Sequence, residues 1–380
     1  MSKIIIVEGI NVALDLFSEE FRKTYEFIGH EVYIVNPYKF NQTIFDELVS
    51  GEIDLVISFN YTCMALKVNG EFLVNKLTCP VVSYEVDHAF FATEKLKGVF
   101  TNKRFYRIVV DRDDLRYLND FSGLDTSNYY LPHGGIAIRD NYQNLKDRKI
   151  DVLYVGSAKQ YTKVDNDIYN YCADFVMENP NLPSTDVVIE IIKILTGANE
   201  DREAVSLIGR SQFDMLLHSE CIALGHYRLK VLEELAKSGV GIVIYGTDWM
   251  DTPLSKYENV EIHQSITPYE CLEKMHDSKI VLNSMPWFKD GSHERVFNAM
   301  LSGAISLSDE SIWLNQNFES GKDCFIFNLE KIEEMVGLTK KVLANIEEYQ
   351  CVADSGYNKA IKNHTWSHRA IELLKIANMY

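Results

Sequence analysis

Residues 286 to 309, "PWFKDGSHERVFNAMLSGAISLSD", put Asp290, Gly291, Ser292, His293, Glu294, Arg295 and Asn298 into a loop and the first turns of a helix that runs from one apolar strand to another. The loop "SMPWFKDG" follows the strand "KIVLN" directly, so a helix beginning near Ser292 aims its amino terminus past a strand's carboxyl end. Open backbone N–H groups and the helix dipole favour an anion such as phosphate there, and Gly291 lets the backbone approach it closely. On a 3.6-residue period Val296 and Met300 share one side, while Gly291, Glu294, Arg295, Asn298 and Ser302 lie on or near the other. A stripe like this also suits a solvated helix face, so order and spacing must add weight. Gly303 supplies the helix end before the strand "AISLS".

Elsewhere, Asp87 and His88 in "YEVDHAF" stand at the carboxyl end of "PVVS", where a carboxylate or imidazole can take a proton. Helix capping by Asp87 explains that pair equally well. His133 in "LPHGG" reads as part of a turn or hinge. Lys159 and Lys163, after the Gly156–Ser157 turn, and Arg228 and Arg295 are candidate cations for a diphosphate. His364 and His368 have the spacing of two metal ligands but lack a third, and no metal is expected. There is no G-x-x-x-x-G-K-[ST], "VEGINVA" holds one of the three glycines of a dinucleotide fingerprint, and no G-x-S-x-G occurs. ATPase, dehydrogenase and serine hydrolase readings lose their best support.

The elements that must position these residues follow a βα rhythm: "KIIIV", "LDLFSEEFRKTYEFIG", "EVYIV", "FDELVSG", "IDLVISF", then "PVVSYE" and "YRIVV". This predicts a parallel sheet covered on both faces over residues 1–143. After the polar stretch "RDNYQNLKDRK", "IDVLYVGS" starts a second such domain over 150–364, with a mainly helical insertion near 160–224. Strands return at "VGIVIYG", "NVEIH", "KIVLN", "AISLS" and "CFIF". Residues 365–380 predict a last helix, capped by Thr365 or Ser367. Two doubly wound halves imply one cleft at the carboxyl ends of their strands.

A chain of 380 residues is too long for one ordinary core. Its 46% hydrophobic and 24% charged residues are those of a globular protein. The net charge of -17 argues against a broad nucleic-acid footprint. Seven cysteines without a C-x-x-C pair fit reduced, packed thiols, and no apolar run reaches the length of a membrane span, so a cytoplasmic protein without an integral membrane segment is expected.

The arrangement D-G-x-x-x-R-x-F-N-A-M-x-x-G-A from Asp290 to Ala304 resembles the donor-site segment of GT-B glycosyltransferases, especially the group related to the spore maturation protein CgeB. The resemblance implies an α/β GT-B fold of two Rossmann-like domains, the last helix crossing back to the first. In the large retaining branch this segment carries E-x7-E, and the matching positions here are Asp290, near the donor sugar, and Asn298, on the ribose. "DVLYVGS" resembles the first strand and turn of the carboxyl-terminal domain, with Gly156 and Ser157. "VGIVIYGTDW" is similar to a middle strand whose following loop, at Tyr245 and Gly246, meets the nucleotide base. Asp87 and His88 fall where such enzymes face the acceptor. The implied activity is metal-independent, hexosyltransferase-type transfer from a nucleoside-diphosphate sugar to a protein, glycan or lipid-linked acceptor, with no separate cofactor. A nucleotide-sugar epimerase on the same architecture and a noncatalytic nucleotide-sugar-binding protein are the competing expectations.

Overall fold

The run "KIIIV" buries Ile4 to Val7 completely, as a strand must when both faces of its sheet are covered. In the computed structural model, which describes residues 1–9, 11–89, 104–158, 166–196 and 210–379, this strand is β1 (Lys3–Val7) of a first unit formed by Met1–Gly134 and Trp366–Tyr380. With β2 (Glu31–Val35), β3 (Leu55–Phe59), the small hairpin β4 (Lys67–Val68) and β5 (Glu71–Phe72), β6 (Val81–Glu85), β7 (Phe105–Val109) and β8 (Ser127–Tyr130), it gives a parallel sheet ordered β2-β1-β3-β6-β7-β8, the hairpin standing apart. The order reverses at β1, so the chain ends after β1 and β3 diverge to opposite faces and leave a crevice.

Helix α1 (Val12–Phe27) starts at Asn11, whose Oδ1 accepts the Ala13 amide at 2.7 Å, and buries Leu14, Phe17, Phe21 and Tyr25 on one stripe. Among the described residues this unit also holds α2 (Gln42–Ser50) and α3 (Arg112–Asp120). The chain's last helix, which begins at Trp366 and ends at Ile376, lies against α1 in the same unit. Trp366 is fully buried, 4.4 Å from the Phe17 ring, and Tyr25 Oη donates to Ala370 O at 3.0 Å.

The second unit, Gly135–Thr365, holds β9 (Ile150–Val155), β10 (Ile242–Tyr245), β11 (Val260–His263), β12 (Ser278–Asn283), β13 (Ile305–Asp309) and β14 (Phe325–Phe327). They form a parallel sheet ordered β11-β10-β9-β12-β13-β14, the dinucleotide-binding order with its reversal at β9 and β12. Helices α4 (Asp167–Glu178), α5 (Ser184–Thr196) and α6 (Arg210–Lys237) lie in the chain between β9 and β10. After β11 come α7 (Pro268–His276), α8 (Glu294–Leu301), α9 (Ile312–Asn317), α10 (Ile332–Ala344) and α11 (Gln350–Asn363), leaving α12 for the last helix, Trp366–Ile376.

The division falls at Gly134, earlier than the polar stretch around residue 143. Local bonds explain it: Gly135 N donates to His364 O at 2.8 Å, and Ile136 N donates to Asn298 Oδ1 at 2.8 Å. No helix among the described residues is long and apolar enough to cross a membrane. All seven cysteines are free; Cys351 is exposed and Cys271 half-buried, the rest being packed inside.

Candidate functional site

At the reversal point of the second sheet, Gly156 ends β9 with φ +152°, a conformation that side chains resist. Its N–H donates to Tyr245 O at 2.9 Å and its carbonyl accepts from Trp249 Nε1 at 2.7 Å. The loops after β9 and β10 therefore touch backbone to backbone, which is why the second position, Gly246, also lacks a side chain. A Cβ on Gly156 would come 3.5 Å from an Arg295 guanidinium nitrogen. The turn and that cation form one corner.

Arg295 sits in the first turn of α8 and is buried. Its Nη1 donates to Asn283 Oδ1 at 2.6 Å, and its guanidinium lies 5.6 Å from the Tyr154 ring centre. Arg228, on α6, is buried as well: Nη1 donates to Ser157 O (3.1 Å) and Nε to Ser284 O (3.3 Å). It ties the loop after β9 to the loop after β12. Burial holds its guanidinium below the usual arginine range, with Arg295 adding to the effect. Neither guanidinium makes an ion pair with a carboxylate among the described residues. Two desolvated cations beside a glycine turn make a site that an anion would complete.

Asn283 Nδ2 donates in turn to Ser308 Oγ (2.9 Å) and Asp309 Oδ1 (3.3 Å), while Asp309 Oδ2 accepts the Met285 amide at 2.8 Å. Burial pushes the Asp309 carboxyl up to about 6, against the lowering pull of that amide and of Lys289. Its folded value lies above that of an unfolded aspartate, so the stability it contributes is complete below about pH 3.9 and is lost as pH rises through about 6. Against an Asp309→Asn variant, wild type is therefore expected to lose about 2–3 kcal/mol between pH 4 and 7. Urea unfolding across that range measures it, and a pH-independent difference would contradict the assignment.

Helix α8 begins at Glu294 with His293 as its cap, slightly later than the Ser292 start read from the sequence. His293 Nδ1 accepts the Arg295 amide at 3.1 Å, and Val296 N donates to His293 O. Two first-turn amides are thus used internally, and the grip on an anion passes largely to the Arg295 side chain. The helix is buried on every side from Arg295 to Leu301, so its polar stripe is no solvated face. It ends at Gly303, φ +67°, where Ala304 N donates to Ala299 O and Gly303 N to Met300 O.

Asn298 spends its Oδ1 on Ile136, which leaves the amide nitrogen as the part that can meet a ligand. Asp290 is half-buried and Ser292 buried. The loop holding them is pinned by Ser311 Oγ donating to Gly291 O at 2.6 Å, Ile312 N to Lys289 O at 2.8 Å, and the Lys289 ammonium on Pro180 O. Beyond Gly246, a cavity of about 700 Å³ opens at the ends of β10 and β11, lined by Thr247, Asp248, Met250, Ile262 and Gln264 among others. Tyr245 stacks on His263 at 4.7 Å beside it.

In the first unit, His88 is buried with Nδ1 2.6 Å from Asp114 Oδ1, and the Ala89 amide donates to the same carboxylate. Asp114 thereby fixes the ring's orientation. Asp87 is exposed and its Oδ2 accepts from Asn60 Nδ2 at 2.8 Å. Beneath this loop, Arg107 and Glu85 form a fully buried two-bond pair, both at 2.7 Å. His133 packs edge-on to Trp366 and is buried, a core residue of this unit. His364 stacks on Phe297 at 5.0 Å in the second unit. Among the described residues no group of three His, Cys, Asp or Glu side chains could hold a metal ion. Lys159 and Lys163 lie outside the described residues.

Residues 228–375 match the family described as "Glycosyl transferase-like". Comparison with curated protein sequences gives no match. Among solved structures, an alpha-glucosyltransferase in complex with UDP-glucose and DNA containing an abasic site superposes with a TM-score of 0.63 at 12% identity, over 99% of this chain and 98% of that one. Sucrose-phosphate synthase from Thermosynechococcus elongatus gives 0.57 at 10% identity (100% and 98% covered), and Anabaena HepE in complex with UDP and glucose gives 0.53 at 11% (100% of both). The fold is GT-B. A glycosyl transferase-like domain on a GT-B frame supports a transferase.

Several residues of this GT-B chain gave no signal when read in sequence: Asn60, Asp114, Asn283 and Asp309. Three of them share a pattern that could have found them. Asn60 follows "LVISF", and Asn283 and Asp309 close their apolar strands, each a polar side chain at the carboxyl end of a buried parallel strand. That is where such sheets bind ligands.

Proposed function

We propose that the chain is a metal-independent, hexosyltransferase-type glycosyltransferase that moves a sugar from a nucleoside-diphosphate sugar to a protein, glycan or lipid-linked acceptor. The observation that carries the reading is the pair of buried guanidiniums, Arg228 and Arg295, which have no carboxylate partner among the described residues around the Gly156 turn. A departing diphosphate gains negative charge as the bond from the anomeric carbon to phosphate oxygen breaks, and fixed cations in a desolvated corner stabilise that charge without reorganising. They supply what a divalent ion would otherwise provide. The Gly156 N–H is spent on Tyr245, so the Ser157 amide and the Arg295 side chain hold the diphosphate beside the glycine turn. The Asn298 amide donates to a ribose hydroxyl, the base enters the cavity beyond Gly246 near Tyr245, and Asp290 faces the sugar.

In the first unit Asp87, with His88 oriented by Asp114, takes the acceptor hydroxyl's proton as its oxygen bonds to the anomeric carbon. The donor-segment motif also favours the CgeB-like group, and the free, mostly buried thiols favour a cytoplasmic setting. The alpha-glucosyltransferase similar to this chain was solved with DNA, but a net charge of -17 disfavours a duplex acceptor here.

A thermal-shift panel of nucleotides and nucleotide sugars tests the donor half. One nucleoside diphosphate and its sugar should raise the midpoint in a saturable way, and at one hundred times Kd the stabilisation is about 2.7 kcal/mol. A panel without any shift would contradict the reading, and turnover of a sugar nucleotide into its epimer without nucleotide release would replace it.

A further inference from the structure

Asn60 and Tyr61, directly after β3, both occupy the left-handed region, with φ +47° and +52°. Two successive residues there are costly for L-amino acids, and for a bulky one like Tyr61 the conformation is an outlier. Glycines would give the same bend without strain, so the position needs side chains. What the bend achieves is visible in the bonds. Asn60 N donates to Tyr84 O at 2.9 Å and Tyr61 N to Ser83 Oγ at 2.9 Å, which locks the turn onto β6. The Asn60 side chain then reaches the loop after β6: Oδ1 accepts the Val86 amide (2.9 Å) and the Asp87 amide (3.4 Å), and Nδ2 donates to Asp87 Oδ2 (2.8 Å). The amide's orientation is fixed by these partners, since a flipped amide would set oxygen against carboxylate and N–H against N–H.

We propose that Asn60 is a positioning residue for the reaction, a strained clamp that reaches from the end of β3 to hold the Asp87 carboxylate in one rotamer at the carboxyl end of β6 and keeps it an acceptor for a proton. This rests on the transferase reading, in which Asp87 takes the acceptor's proton. One carboxylate oxygen is engaged by Asn60, and the side chain's freedom is spent before an acceptor arrives. The strain at Asn60 and Tyr61 is the cost of that arrangement.

Asn60→Asp isolates the electrostatic part, because Asp tolerates the left-handed region and its remaining oxygen can still accept the Val86 amide. It places a second carboxylate where the amide donated, and the pair resists joint ionisation. Among the described residues, charged or titratable groups around Asp87 include Tyr61 on the same turn, the buried Glu85–Arg107 pair of β6 and β7, and His88 with Asp114 of α3; all are present in both proteins. The rising limb of the pH–kcat profile should therefore move up by about one pH unit or more. Turnover at a pH on that limb should fall several-fold, up to about tenfold, and recover as pH rises above it, while donor KM stays within about twofold. Asn60→Gly keeps the bend and removes the clamp, and it should lower kcat at all pH values without changing donor KM.

Carboxyl 13C NMR of Asp87 gives a readout that needs no turnover: its titration should move up in Asn60→Asp. A wild type inactive on every sugar nucleotide would sink the transferase reading and leave this titration to decide the clamp. An Asn60→Asp protein whose Asp87 titration and pH profile superimpose on wild type, or an Asn60→Gly protein with full kcat, would overturn the proposal.

Discussion

Replacing Arg295 with alanine is expected to lower kcat/KM for the sugar nucleotide by about 10²–10³, roughly 3–4 kcal/mol of transition-state stabilisation. The reasoning is electrostatic. The guanidinium is buried, is held by Asn283 at 2.6 Å, lies 5.6 Å from the Tyr154 ring centre and makes no ion pair with a carboxylate among the described residues, so its charge is available beside the Gly156 turn. Charge grows on the diphosphate as it leaves, so kcat should fall more than donor affinity does. Arg295→Lys should recover only part of the loss, because an ammonium keeps the charge but not the rigid planar fork that can bond Asn283 and a phosphate together. Steady-state kinetics with a calorimetric Kd separates the two effects. Equal losses in Kd and kcat/KM would assign Arg295 to uniform binding instead, and no loss in either would remove it from the site.

Gly246→Ala is expected to cost about 3 kcal/mol or more of stability and to abolish donor binding. A Cβ there would fall far inside van der Waals contact distance of Gly156 O, 2.6 Å from Gly156 C and 3.0 Å from Trp249 Nε1. These are backbone and a buried indole, not a flexible chain end. To make room, the loop must give up the Gly156 to Tyr245 hydrogen bond or the Trp249 bond to Gly156 O, and either change moves the turn away from Arg295. Gly337→Ala on α10 is the matched control: nothing lies within 4 Å of its Cβ, and relief of helix-interior glycine should stabilise by about 0.5–1 kcal/mol. Chemical denaturation of both variants, with nucleotide titration of whatever remains folded, measures this. A Gly246→Ala protein as stable as wild type would mean that the two loops are not in register as described.

Much of the fold was legible because the parallel strands are short β-branched runs that nothing else explains, as at "KIIIV" and "KIVLN". The strand Ser127–Tyr130 was not, since "SNYY" is a polar edge strand with alternate residues exposed and carries no apolar signature. The hairpin of Lys67–Val68 and Glu71–Phe72 is too short to show a period. At the candidate site, sequence pattern named Arg295 and the glycine turn, which the fold brings together, but said nothing of what supports them. The cap is His293, a residue outside the usual Ser, Thr, Asp and Asn set, so the helix start was placed too early. Asn298 meets Ile136 across 162 residues, and the chain from Arg295 through Asn283 to Asp309 joins two strands and a helix. Contacts of that kind are set by tertiary packing, which spacing along a sequence does not encode.

On this reading the Gly156 turn and the Arg295 guanidinium together seat the donor's diphosphate. A crystal structure of the full chain with the nucleoside diphosphate chosen by the thermal-shift panel tests it most directly. Phosphate oxygens should lie within hydrogen-bond reach of the Arg295 guanidinium and the Ser157 amide, with the base in the cavity beyond Gly246. A diphosphate bound elsewhere, with Arg295 touching only Asn283 and Tyr154, would contradict it.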